Sequence, residues 1–377
     1  MRFFEEKSGS LIWRSNGETL MLTPWGQDGL RVRARLMEEI GDESAALLPA
    51  ASDDTCITIE DTHAVIRSGR IVAEVSAQDG SVVFRNRDGK VLLRNARRSM
   101  HMAPPRRFQA LPGGSWRLSV RFLPEEGEKI YGLGQSQQEI MDLKGCSLDL
   151  EQRNTQITIP FYISSIGYGF FWNNPAVGQA HFGHNITEWT AESTKQMDYW
   201  ITAGDTPAQI EQAYAAVTGT VPMMPEYGLG FWQCKLRYYN QEQVLSVARE
   251  YKRRGIPLDV IIVDFYHWPH CGDWRFDEEF FPDPAAMVKE LHDMGIETMV
   301  SIWPTVHENS ENAAEMKQQG LVVRSRAGVD VQAAFEGNNV FTDTTNPRAR
   351  AFMWDKVRHN YADLGIRTFW LDAAEPE

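Results

Sequence analysis

The sequence predicts two joined architectures, a β-sandwich amino-terminal domain and then the first half of a (β/α)8 barrel. Three observations carry this reading. Short alternating or apolar runs recur between turn dipeptides up to Asp205, the pattern of a sandwich. After Pro225, apolar strands alternate with amphipathic helices, which means a parallel sheet covered by helices. The last three of those strands end in side chains usable for chemistry, Asp264, Trp303 and Asp372. A barrel builds its site at that end of its strands.

In the first region the runs include Thr19–Thr23, Leu30–Ala34, Cys56–Ile59, Ile71–Val75, Trp116–Phe122, Thr155–Ile159 and Tyr168–Trp172. Between the early ones stand Asn16-Gly17, Asp28-Gly29, Asp79-Gly80 and Asp88-Gly89, pairs that tolerate the positive φ of tight hairpins. Thr206-Pro207 then reads as cap and first turn of a helix running to Thr218. Gly219, Pro222 and Pro225 mark a boundary, giving domains 1–221 and 222–377. Beyond it Tyr227–Gln233 reads as a buried strand, Gln241–Arg254 as a helix closed by Gly255, and Asp259–Phe265 as a strand. Pro284–Met294, Glu297–Trp303, Arg348–Asp363 and Ile366–Leu371 continue as helix, strand, helix and strand. No glycine-rich phosphate loop follows the first strand, where Gln233-Cys234-Lys235-Leu236 stands, so the barrel is preferred over an open dinucleotide-binding sheet.

Composition narrows the function. Hydrophobic residues at 42% and charged residues at 24% fit a globular protein. A net charge of −13 argues against nucleic acid or an anionic membrane as partner. The amino end, Met1 to Lys7, has no signal-peptide core, and no apolar run reaches membrane-spanning length. The four cysteines are scattered without a CxxC pair, so neither disulfides nor zinc are expected. A cytoplasmic enzyme without metal or cofactor is the expectation, with its oligomeric state open. Twelve tryptophans suit either a core or stacking on sugar rings.

Asp372 lies in Trp370-Leu371-Asp372-Ala373-Ala374-Glu375. A strand-end carboxylate beside small residues and aromatics such as Trp370 is what a glycosidase nucleophile needs; it could equally cap the next helix. Asp264 holds the same position two strands earlier. It could accept two sugar hydroxyls while its neighbour Tyr266 stacks on the sugar face, or it could pair with a buried arginine. Trp303 reads as a wall of the same site or as core. His267, His270 and Cys271 are close in sequence, but Pro269 and the lack of a second ligand cluster make zinc a weak reading. Lys235 and Arg237, after the first barrel strand, could bind acidic groups or simply be solvated.

Taken in order, Tyr131-Gly132-Leu133-Gly134-Gln135, Gly228-Leu229-Gly230-Phe231-Trp232-Gln233, Arg253-Arg254-Gly255-Ile256-Pro257-Leu258-Asp259, Phe281-Pro282-Asp283-Pro284, Thr345-Asn346-Pro347 and Trp370-Leu371-Asp372-Ala373-Ala374-Glu375-Pro376-Glu377 resemble glycoside hydrolase family 31, in its α-xylosidase-like bacterial branch. The resemblance implies a retaining α-glycosidase acting on an α-glycoside or oligosaccharide. It makes Asp372 the nucleophile, Asp264 a binder of sugar hydroxyls, Trp303 and Phe335 walls of the sugar site, and Glu375 a support for a partner that orients Asp372. Residues 132–165 resemble the sandwich loop that reaches the substrate's far end, with Asp142, Asp149 or Asn154 as contacts.

One part of the pattern is missing. Double displacement needs a second carboxyl to protonate the leaving oxygen, and in the family it lies well downstream of the nucleophile. Only five residues follow Asp372, so no acid/base can be assigned. Four strands after Glu226 likewise fall short of the eight of a closed barrel. The expectation is a fragment without hydrolytic activity of its own. The alternatives are an α-glucosidase or α-galactosidase of the same family, or a non-catalytic carbohydrate-binding remnant. An aldolase would need a strand-end lysine, and Lys235 lies past its strand.

Overall fold

The computed structural model describes residues 3–96, 104–325, 327–335 and 337–375; Met1, Arg2 and the closing Pro376-Glu377 of the last motif lie outside them. Contacts divide the chain into two compact units, Met1–Val221 and Pro222–Glu377.

The first unit stacks two antiparallel sheets. One orders its eight strands Phe4–Lys7, Ser10–Ser15, Glu18–Pro24, Gly29–Leu36, Met197–Ala203, Tyr168–Trp172, Ile157–Ser164 and Ile130–Gln135. The other has ten strands and runs from Ser147–Leu150 at one edge to Thr55–Ile59 at the other. Alternation along the strands aims one set of side chains between the sheets. There Trp172, Trp189, Tyr162, Phe170 and Tyr199 form a fully buried aromatic stack. Most of the tryptophan-rich composition of this unit is therefore core.

Asn16 and Gly17 both take positive φ (50° and 78°), the two-residue hairpin turn that the dipeptide predicts. Asp28-Gly29 does otherwise. Gly29 opens its strand without positive φ, and Asp28 instead accepts the Arg70 N–H at 2.8 Å. Thr206 caps the helix Pro207–Thr218 by accepting the Gln209 N–H, as its sequence position implies.

The second unit is built on a four-stranded parallel sheet: β1 (Trp232–Cys234), β2 (Val260–Val263), β3 (Glu297–Ile302) and β4 (Thr368–Leu371), in that spatial order. Sequential order without reversal is the winding of a barrel; a doubly wound sheet reverses at a switch point. Helices α1 (Gln241–Arg253) and α2 (Pro284–Asp293) have polar N-caps, Asn240 and Asp283. A short α3 (Ala313–Gln319) and a three-stranded antiparallel sheet (Thr305–His307, Asn338–Phe341 and Gln332–Ala334) are inserted after β3. Then α4 (Pro347–Asn360) leads into β4.

Two expectations change here. Residues Tyr227–Gln233 are not one buried strand. Glu226–Leu229 is a 3-10 turn, and β1 begins only at Trp232 and is largely exposed at the sheet edge. Gly230 explains the break, since a Cβ there would lie 2.1 Å from the Asp259 carboxyl, whose Oδ2 accepts the Phe231 N–H at 2.9 Å. The inserted α3 and small sheet were also not expected.

Candidate functional site

Parallel register decides which side chains share a face. Val260 pairs with Trp232 and Glu297, Ile262 with Cys234 and Met299, Ser301 with Trp370, and Ile302 with Leu371. In a sheet, paired residues and those two apart along a strand point the same way. One face therefore carries Ile261, Val263, Val300 and Ile302, which pack with the helix residues Val244, Leu245, Met287 and Val288. The other carries Cys234, Val260, Ile262, Met299, Ser301 and Trp370. On it Val260, Ile262 and Met299 close into a separate small cluster with Tyr227. Carried one residue beyond the strands, the alternation sets Asp264, Trp303 and Asp372 on this second, helix-free face. The amide of Asp372 continues the ladder by donating to the Ile302 carbonyl at 3.1 Å.

Asp264 is buried. Its Oδ1 accepts the Phe265 N–H at 2.8 Å, and its own carbonyl engages His267 Nδ1 at 2.8 Å. The other ring nitrogen of His267 meets the Tyr361 hydroxyl at 2.9 Å. Complete burial drops the His267 pKa to about 4, so the ring is neutral at pH 7 and links the β2 end to the segment after α4. It is a positioning element, not a free ligand. Cys234 stands near enough to feel Asp264: partial burial first, and the Asp264 carboxylate second, push its thiol up.

Asp372 is half-buried and its Oδ1 accepts the Ala373 N–H at 2.8 Å. Ala373 takes φ 50°, the left-handed region that few non-glycine residues enter. Glu375 makes no hydrogen bond or ion pair among the described residues, so the partner expected to orient Asp372 through it is not found there.

Trp303 is held from both sides. Its carbonyl accepts Trp274 Nε1–H at 2.8 Å. Its ring stacks on Phe265 (centroids 5.3 Å, 22°) and meets Phe335 at 5.0 Å. Its own Nε1 is buried without a partner, which is costly unless something else accepts that proton. Phe335 comes from the turn of the inserted sheet and faces Tyr266 at 6.4 Å, nearly parallel. Tyr266 in turn lies under the Arg237 guanidinium, 4.4 Å from its ring centre. The structure thus gathers Trp303, Phe335 and Tyr266 into one aromatic wall beside a small cavity of about 60 Å³ that His270 and His307 also line. Trp370 stands apart from this wall on the exposed edge strand β4, 39% accessible. A larger cavity of about 760 Å³ lies at Phe231, Val247, Tyr251 and Pro257, away from the strand ends.

Sequence reasoning missed Trp274, His267's buried link and Arg237's stacking. In sequence His267 reads as part of a polar loop, with zinc as the weaker alternative; the ring is buried instead, and among the described residues no three His, Cys, Asp or Glu side chains converge on a metal position. In the sandwich, Asp142 accepts the Ile130 and Lys144 N–H groups, and Asp149 holds Arg153 and Gln179. No described helix is long and apolar enough to cross a membrane.

The model of the family 31 TIM-barrel domain matches residues 221–377. That of the glycosyl hydrolase 31 N-terminal galactose mutarotase-like domain matches residues 21–179. An uncharacterized family 31 glucosidase, ORF2 of Pseudescherichia vulneris, is 47% identical over 390 aligned residues, covering 99% of this chain and 74% of that protein. The chain belongs to glycoside hydrolase family 31. Two further relatives are α-xylosidases. α-Xylosidase A of Aspergillus niger is 33% identical, with 99% of this chain and 54% of that protein covered. The crystal structure of an α-xylosidase from a soil metagenome, complexed with xylose, superposes with TM-score 0.93 at 46% identity, over 99% of this chain and 58% of that one. The chain thus spans little more than half the length of these two family 31 relatives.

Proposed function

We propose that this chain supplies the amino-terminal sandwich and the first barrel strands of a retaining α-glycosidase that acts on terminal α-linked xylose. The observation that carries the reading is the shared face of Asp264, Trp303 and Asp372 at the carboxyl ends of consecutive parallel strands. In the first step an Asp372 oxygen attacks the anomeric carbon as the bond to the aglycone oxygen breaks, leaving a β-linked glycosyl ester. Oδ1 is held by the Ala373 N–H, so Oδ2 is the attacking atom. The departing oxygen takes a proton from an acid. Water then attacks the same carbon, returns the carboxylate and gives up its proton to the base form of that acid, so configuration is retained. Asp264 accepts hydroxyls of the bound sugar, and Trp303 offers its face and its unpartnered N–H. Glu375, Phe335, Tyr266 and Trp370 line or support the site.

No carboxyl among these residues is assigned as the acid, so the isolated 377-residue polypeptide turns over an aryl α-xyloside negligibly. Xylose is chosen on the α-xylosidase relatives. An α-glucosidase is the second reading, favoured by the glucosidase name of the relative at 47% identity. The two differ in room for the C6 hydroxymethyl. Competing 5-fluoro-α-xylosyl and 5-fluoro-α-glucosyl fluorides for covalent capture tests this, because fluoride departs without protonation. Preferential xylosyl capture is expected; preferential glucosyl capture selects the second reading, and a protein that binds sugar without capture is a carbohydrate-binding module instead. A cytoplasmic location is part of the same proposal.

A further inference from the structure

The loop after β1 carries two cations, Lys235 and Arg237, that the reaction does not use. Neither makes an ion pair or hydrogen bond among the described residues, and both are exposed. Arg348, Arg350 and Arg367 of the same unit likewise have no carboxylate partner among the described residues. Arg249, Arg253, Arg254, Arg275, Arg324 and Arg358 each hold a carboxylate within 3.2 Å, and the chain as a whole carries 51 acidic against 38 basic residues.

Arg237 is nevertheless not loose. Its guanidinium stands 4.4 Å from the Tyr266 ring centre and 5.0 Å from that of Tyr239. Both rings lie within cation–π distance of the guanidinium, and its N–H groups make no hydrogen bond among the described residues. Stacking of this kind fixes a guanidinium without using its donors. The Tyr266 ring faces Phe335, and Phe335 faces Trp303, so the cation sits at the outer end of the aromatic wall whose inner end is in the proposed sugar site. A group attached to the anomeric oxygen of a sugar bound against Trp303 would extend along that wall.

We infer that Arg237, with Lys235 beside it, selects an aglycone bearing a carboxylate, a uronic-acid-type sugar, at the rim of the site. A planar carboxylate matches the free guanidinium fork, and that pairing is about twice as strong per hydrogen bond as a neutral one. The Tyr266 and Phe335 faces supply the surface on which its ring would lie. The inference rests on the glycosidase reading for the position of the sugar, but its test does not pass through turnover.

Calorimetric titration of the full 377-residue chain with a disaccharide of α-xylose on glucuronic acid (the glucuronide) and with the matching disaccharide of α-xylose on glucose (the glucoside) reads it. The glucuronide is expected to bind at least about ten-fold more tightly at low ionic strength, and about 0.5 M salt should remove most of that preference. Arg237→Met keeps the stem on the tyrosines and is expected to abolish the preference; Arg237→Lys keeps the charge without the fork and retains part of it. Circular dichroism of both variants confirms their folding. Equal binding of the two glycosides, absence of binding by either, or a preference that survives Arg237→Met overturns the inference. Xylosyl capture is measured in parallel and is expected to be unchanged in Arg237→Met. Its absence from the parent chain would count against the glycosidase reading, whereas the glucuronide comparison stands independently of it.

Discussion

Asp264 and Asp372 are anchored alike: each turns Oδ1 onto the amide N–H of the residue that follows it, at 2.8 Å. One oxygen fixes the carboxylate plane and the other is left to face a ligand. Asp264→Asn preserves the anchoring acceptor and removes the charge. Xylose binding to that variant is expected to weaken by about 10–100-fold, the worth of hydrogen bonds to a charged group. Because the Asp264 charge helps hold the Cys234 thiol up, the same change lowers the Cys234 pKa. Iodoacetamide should then alkylate Cys234 faster, by a few-fold at neutral pH, read by mass spectrometry of the Cys234 peptide. An unchanged alkylation rate would place Asp264 away from Cys234.

His267 predicts a pH dependence of stability. Its pKa is near 6.5 when unfolded and about 4 when buried. Between these values the unfolded chain binds the proton and the native one does not, so stability rises with pH. The contribution is full above about pH 6.5, is lost progressively as pH falls, and levels off below about pH 4. The span corresponds to roughly 3 kcal/mol. Urea unfolding from pH 4 to 7, followed by a signal from the 222–377 unit, should show this slope, and His267→Gln should flatten it.

Trp303 separates packing from recognition. Trp303→Phe keeps a ring against Phe265 and Phe335 and removes the buried N–H that has no partner. Its cost in stability is expected to stay under about 1.5 kcal/mol, while affinity for xylose falls several-fold. Trp303→Ala is expected to lose about 3–5 kcal/mol. Chemical denaturation and xylose titration of both variants check this. A Phe variant with unchanged xylose affinity would make Trp303 core only.

Leu371 is 73% exposed on β4, at the edge of the four-stranded sheet, and an exposed apolar edge can pair with other chains. The isolated polypeptide is expected to self-associate at micromolar concentration, and Leu371→Lys to reduce that association. Light scattering across a dilution series reads both.

Much of this was legible in the sequence because it is local. Asn16-Gly17 dictated its hairpin, Thr206-Pro207 its helix start, and apolar runs ending in Asp264 and Asp372 marked two strand ends. What stayed illegible depends on partners distant in sequence. Whether Asp264, Trp303 and Asp372 face one way follows from inter-strand register, which no single strand encodes. The exposed β1 was misread because Leu229, Phe231 and Trp232 look like core when their neighbours are unknown. His267 reads as part of a polar loop in sequence, and only its burial shows that its two nitrogens meet Asp264 and Tyr361. Phe335 is named through the family resemblance alone; the inserted sheet that carries it to Trp303 has strands of three to four residues, too short for an alternating signal.

Asp372 is the proposed nucleophile. The most direct test is peptide mapping by mass spectrometry after incubation with 5-fluoro-α-xylosyl fluoride. One fluoroxylosyl ester is expected, on Asp372, and none from Asp372→Asn. A label on any other residue, or capture that persists in Asp372→Asn, would contradict it.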